Sequence, residues 1–94
     1  MPGAITADEL RAVRLGTPGW GRKGYRTEEV DDFLARVAEA LTALALRRAP
    51  QLTADAVRDV RFRKQGFGRG RGYDEDQVDE LLDRIEATFR AAAG

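Results

Sequence analysis

The sequence predicts an all-α fold of two repeated units, each a short helix, a loop and a long helix. The units are expected to pack as a pseudo-dimer through a short coiled-coil-like seam. Three observations lead there. A loop-to-helix junction occurs twice, as Gly24-Tyr25 followed by Val30-Asp31-Asp32-Phe33-Leu34 and as Gly72-Tyr73 followed by Val78-Asp79-Glu80-Leu81-Leu82. After each junction the apolar residues advance in steps of 4, 3, 4 and 3, the spacing of a coiled-coil stripe. Residues suited to capping stand where each helix must begin.

The duplication covers nearly the whole chain. Thr6-Ala7-Asp8-Glu9-Leu10-Arg11-Ala12-Val13-Arg14 returns as Thr53-Ala54-Asp55-Ala56-Val57-Arg58-Asp59-Val60-Arg61, an offset of 47 that becomes 48 by Gly24 and Gly72. Residues 1–94 therefore read as one domain made of repeats 5–48 and 52–92. Two copies make a tandem duplication, since solenoids need three or more units.

Taking the elements in order, Thr6 reads as an N-cap with Glu9 completing a capping box. A short helix over residues 6–14 follows, burying Leu10, Val13 and Leu15. Pro18 and its neighbouring glycines break it into a loop with Trp20 at the middle. Thr27 is the expected cap of a long helix over 27–48, whose seam is Val30, Leu34, Val37, Leu41 and Leu44, with Phe33 beside it. Pro50 ends that helix. Thr53 caps the second short helix, over 53–62, which carries Val57, Val60 and Phe62. A second glycine-rich loop follows, with Phe67 at the place of Trp20. Asp74, with Gln77 as box partner, opens the last helix over 74–92, whose seam is Val78, Leu82, Ile85, Phe89 and Ala92, with Leu81 matching Phe33. About two heptads of seam are marginal alone in water. The two long helices are therefore expected to pack together, with the short helices across the flank of Phe33 and Leu81. A parallel arrangement, with both loop tips at one end, is the favoured one; a homodimer pairing each repeat with its copy in another chain is the alternative.

Composition narrows the function. With 43 % apolar and 34 % charged residues among 94, the chain suits a small globular domain. No apolar run approaches the roughly 20 residues that span a bilayer. The opening Met1-Pro2-Gly3-Ala4 lacks the basic and apolar regions of a signal peptide. There is no cysteine for a disulfide framework. Together these favour the cytoplasm. Net charge is zero, but it is unevenly spread. Arg61, Arg63, Lys64, Arg69 and Arg71 make the second loop basic, whereas residues 74–86 hold seven acids against Arg84 alone.

The loop tips are the candidate site. Glycines on both sides leave Trp20 and Phe67 little local chain to pack against. Indole favours membrane interfaces, and each nearby base contributes roughly 1 kcal/mol against anionic headgroups. The competing expectation is that both aromatics fold back into the small core.

The order of parts resembles the N-terminal domain of the DivIVA family of bacterial cell-division and polar-growth scaffolds. Residues Ile5 to Leu34 carry the pattern once and Leu52 to Leu82 carry it again. In each, an apolar residue and threonine open a short helix, a loop with aromatic and basic residues follows, and Lys23-Gly24-Tyr25 or Arg71-Gly72-Tyr73 leads into the long helix. The resemblance implies peripheral binding to the inner face of the cell membrane, with Trp20, Arg22, Lys23, Phe67, Arg69 and Arg71 meeting lipid. The chain departs from the family in its doubled domain and in lacking the long coiled coil that drives assembly.

Other readings are weaker. Arg69-Gly70-Arg71-Gly72 is like an RNA-binding segment, but it is one short stretch in a neutral protein, which argues against nucleic acid. The Gly-Tyr pairs are expected to be structural, with glycine supplying an unusual backbone angle and the tyrosine hydroxyl facing water. Asp31 and Asp79 favour the positive helix end and are expected to pair with loop arginines. Acids spread over helix starts, with no histidine, point away from an enzyme, a metal or a cofactor. The rival function is a protein–protein adaptor whose seam or aromatics bind a full-length DivIVA-like scaffold or another helical partner without touching lipid.

Overall fold

A computed structural model of the chain describes residues 4–66 and 70–93. They form four helices, α1 (Ala7–Ala12), α2 (Thr27–Ala45), α3 (Ala54–Asp59) and α4 (Glu75–Ala93), and no strand. The short helices are shorter than the spans 6–14 and 53–62 expected from sequence. Their C-caps, Val13 and Val60, are extended, at ψ 136° and 142°, which suits a β-branched side chain. Extension brings Phe62 edge-on to Phe33, with centroids 5.8 Å apart, and sets Leu15 beside Leu81.

Capping follows the sequence at three of the four starts. Thr6 and Glu9 form the capping box, and Thr53 accepts from the Ala56 amide at 3.0 Å. Asp74 accepts from the amides of Asp76 and Gln77. Thr27 differs. It is the first residue inside α2, the cap position is Arg26, and no side chain caps there. At the other end α2 stops at Ala45, short of the expected 48, in a Schellman turn. The Arg48 amide donates to Ala43 O, the Arg47 amide donates to Leu44 O, and Arg47 takes φ 58°. The helix ends by its own closure before Pro50 is reached.

The core is buried between the helices. Ile5, Leu10, Phe33, Val37, Leu41, Leu52, Val57, Leu81, Ile85 and Phe89 form one apolar cluster, and Val30 and Val78 are buried at the helix starts. Of the residues expected on the seam, Leu44 is half-buried and Ala92 exposed near the helix ends, and Leu34 and Leu82 are also only half-buried. They line matching grooves between each long helix and its own short helix, Leu34 with Leu10 and Val13, Leu82 with Val57 and Val60. Phe33 and Leu81, expected as flanking residues, take the interior places instead. The reason lies in the short helices. Their closest backbone approaches are α1 to α2 and α3 to α4, so Leu34 and Leu82 face them, and Phe33 and Leu81 join Val37, Leu41, Ile85 and Phe89 in the shared cluster.

The two repeats bond to each other through equivalent positions. Tyr25 and Tyr73 exchange both backbone hydrogen bonds, each 2.9 Å. The Gly16 amide donates to Gln77 Oε1 at 2.7 Å, and its counterpart, the Arg63 amide, donates to Glu29 Oε1 at 2.9 Å. The carbonyls of the same residues accept from the amides of Asp74 and Arg26, at 2.8 and 2.9 Å. Each loop thus closes the start of the other repeat's long helix. Gln77 bonds Gly16 and does not reach back to its own cap, unlike the expected box partner. These bonds hold the starts of α2 and α4 side by side. At the far end, Leu41 and Leu44 of α2 share a groove with Thr88 and Ala92 of α4, so the long helices run in the same direction. Thr88 also accepts the Ile5 amide at 3.0 Å, tying the chain's beginning to α4.

Candidate functional site

At the end of the molecule where the long helices begin, the first loop presents Trp20. It follows buried Pro18, and a tight turn in which the Arg22 amide donates to Gly19 O at 3.1 Å, with Gly21 at φ 79°, carries it outward. Its side chain is 96 % exposed. The expectation that Trp20 fills the core therefore does not hold. Arg22 and Lys23 beside it are also exposed. An indole flanked by glycines, away from the packed cluster and next to two bases, offers an apolar body and cations on one small surface.

Of the other residues assigned to the tips, Phe67 and Arg69 lie outside the described residues. Arg71 is described, and its guanidinium turns back toward the protein, where Nη2 donates to the Pro18 carbonyl of the first loop. Lys64 pairs with Glu75 at the start of α4, and Arg63 pairs with Glu29 at 2.7 Å. The Trp20 tip is thus held by the second repeat's loop, while part of that loop's basic charge is paired with helix-start acids.

The junction beneath the tip is built from both Gly-Tyr pairs. A Cβ on Gly24 would overlap the Tyr73 carbonyl, so glycine is needed there for close approach. Gly72 meets both demands, with φ 79° and the Tyr25 carbonyl at its side. The tyrosine hydroxyls do not simply face water, and among the described residues the partners of Asp31 and Asp79 are these tyrosines and not the expected loop arginines. Tyr25 donates to Asp79 at 3.1 Å and Tyr73 donates to Asp31 at 2.8 Å, each across the repeats. Burial and the Asp79 carboxylate push the Tyr25 phenol up; for Tyr73 the bond to Asp31 leads and burial adds. The Arg63 amide and guanidinium hold the Glu29 carboxyl below its usual range. Sequence reasoning missed these crossed bonds. A signal was present, because both motifs place an aspartate six residues after the tyrosine; nothing in one repeat alone says that the partner lies in the other.

The acids are distributed along helix starts, and no group of them is placed to hold a metal ion among the described residues. The two matching grooves, about 410 and 440 Å³, are open and lined by mixed polar and apolar side chains. No described helix is long and apolar enough to cross a membrane. Comparison with protein families, with curated proteins and with solved structures returns no match for this chain.

Proposed function

We propose that this chain is a non-enzymatic, DivIVA-like module that docks on the anionic inner face of the bacterial cytoplasmic membrane, in cell division or polar growth. The observation that carries the reading is Trp20, 96 % exposed on a glycine-flanked turn with Arg22 and Lys23 beside it. The order of motifs in both repeats supports it from the sequence side. A large exposed indole costs solubility in water and gains by entering a lipid interface. We also read the two repeats as a parallel pseudo-dimer. The crossed bonds of Tyr25 and Tyr73, of Gly16 and Arg63, and of Asp31 and Asp79 support that arrangement, since each has its counterpart at the equivalent position. On this reading the two halves of a dimer are supplied by one chain.

Co-sedimentation with vesicles tests the docking. Wild-type protein is expected to pellet with vesicles containing anionic phospholipid and to stay in solution with neutral ones. Trp20→Ser should release it without changing the helical signal. Added salt should weaken binding, because headgroup attraction is screened over about 8–10 Å at physiological salt. Equal binding of wild type and Trp20→Ser would remove Trp20 from the site.

A second reading is favoured by one observation at the other end. Leu46 is 58 % exposed, beside a groove lined by Ile5, Leu41, Leu44 and Ala92. An adaptor binding a DivIVA-like scaffold or other helical partner would use this surface. Leu46→Asp should abolish partner binding on that reading and leave vesicle binding intact.

A further inference from the structure

Arg71 was expected among the lipid contacts, but its place in the structure suggests another role. We infer that Arg71 is a positioning residue that braces the Trp20 loop from the second repeat. The two loops are anchored differently. In the second loop the Gln65 amide donates to Gly24 O at 2.8 Å, anchoring that loop to the first repeat's junction. The residue equivalent to Gln65 is Pro18, and the residue equivalent to Gly24 is Gly72. Proline has no N–H. The same backbone anchor therefore cannot form in the first loop. There the two loops are joined by a different bond, in which the Arg71 guanidinium donates to the Pro18 carbonyl.

The surroundings fit a brace. Pro18 is buried although it stands two residues before the exposed Trp20, so the loop is pinned at its base and free at its tip. Arg71 is itself fixed at the backbone, because its carbonyl accepts from the Gly24 amide at 2.7 Å. The flanking glycines take φ 90° at Gly70 and 79° at Gly72, which bring the arginine up beside the first loop. One residue thus joins three pieces: the Trp20 loop, the Gly24-Tyr25 junction and the second loop. A planar guanidinium with five donors suits such a bridge, since it can serve a carbonyl while keeping further donors available. Presentation of Trp20 by repeat 1 then depends on repeat 2, and half of the duplication would display the tryptophan less well than the whole chain.

The functional part of this inference rests on the reading of Trp20 as a lipid contact, but the brace can be measured without lipid. Amide hydrogen exchange of the full chain in buffer should show a protected N–H at Arg22, whose turn lies next to Pro18. Arg71→Gln should lower that protection on the order of tenfold, the scale of one lost charge-assisted hydrogen bond. Arg71→Lys, which keeps a charged donor, should retain most of it. Arg22→Gln, a matched loss of charge on the tip, should leave protection at residue 22 near wild type. Unchanged protection in Arg71→Gln would overturn the brace. Anionic phosphatidylglycerol vesicles supply the second arm. Arg71→Gln should bind several-fold more weakly than wild type if the brace serves the tip. If wild type does not bind vesicles while the exchange difference persists, the membrane reading fails and the brace stands.

Discussion

The two repeats build the same junction from different residues, and the differences separate structure from display. At the junction both use glycine, tyrosine, valine and aspartate, and both make the same crossed bonds. Away from it they diverge. Asp74 caps α4 with its carboxylate, whereas Arg26 gives α2 no side-chain cap. Glu29 takes an amide and a guanidinium from Arg63, whereas its counterpart Gln77 takes an amide from Gly16, which has no side chain to add. Pro18 and Trp20 stand where the second loop has Gln65 and Phe67. Backbone bonds that close a helix start are kept, and the side chains around them vary. What the repeats share holds the fold, and what sets Trp20 apart on its turn is available for function.

The shared junction is where a single substitution should cost most. Gly24→Ala forces a methyl group into the Tyr73 carbonyl and should cost about 3 kcal/mol or more, through overpacking and loss of the backbone pair. For a domain of this size thermal unfolding should fall by roughly 12 °C or more. A shift of only a degree or two would show that the two backbones do not meet there.

The next effect distinguishes neighbouring residues on one helix. Leu81 is buried in the shared cluster and Leu82 lies half-buried in a groove. Leu81→Ala should cost about 2–5 kcal/mol, as buried large-to-small changes do, and Leu82→Ala about half as much. Urea denaturation of both variants checks the order. A larger loss at Leu82 would return the seam to the stripe that the spacing alone suggests.

Smaller effects come from the tyrosines. Tyr25→Phe and Tyr73→Phe should each cost roughly 0.5–1.5 kcal/mol, the net scale of one hydrogen bond. Their contribution should also depend on pH. The folded protein holds both phenolic protons more tightly than the unfolded chain. The stabilisation is therefore fully present below the ordinary value of 10.0 and is lost as pH rises from there through the raised folded values. Glu29 behaves oppositely. Its folded value lies below the ordinary 4.5, so its contribution is present above that pH and is lost as pH falls through the folded value. Melting curves across acid and alkaline pH should show the alkaline loss reduced in the double Phe variant and the acid loss reduced in Glu29→Gln. The smallest effect has the opposite sign. Arg47 holds a left-handed backbone at φ 58°, and Arg47→Gly should stabilise the protein by about 0.5–1 kcal/mol.

Much of the helix order is legible in the residues, because caps and apolar spacing are local. Thr6 with Glu9, Thr53 and Asp74 each mark a start with their own side chains. The misses are where a distant partner decides. Thr27 has the chemistry of a cap, yet the start of α2 is closed by Arg63 from the other repeat. Leu34 satisfies the coiled-coil spacing as well as Phe33 satisfies its flank, and only the approach of α1 decides which of the two turns inward. The glycines around Trp20 allow an exposed tip but leave a place in the core open, and the turn at Gly19–Arg22 decides for exposure. The brace by Arg71 was invisible in the sequence, since its donor and acceptor stand 53 residues apart.

The most direct test of the docking account uses the single tryptophan as its own reporter. Emission of the wild-type protein in buffer should be that of a fully hydrated indole. Vesicles containing anionic phospholipid should shift it to the blue, and lipids brominated near the headgroup should quench it. Neutral vesicles should do much less. Emission that is unmoved and unquenched by anionic vesicles, at protein and lipid concentrations where co-sedimentation is complete, would contradict the account, because the chain would then reach the membrane by a surface other than Trp20.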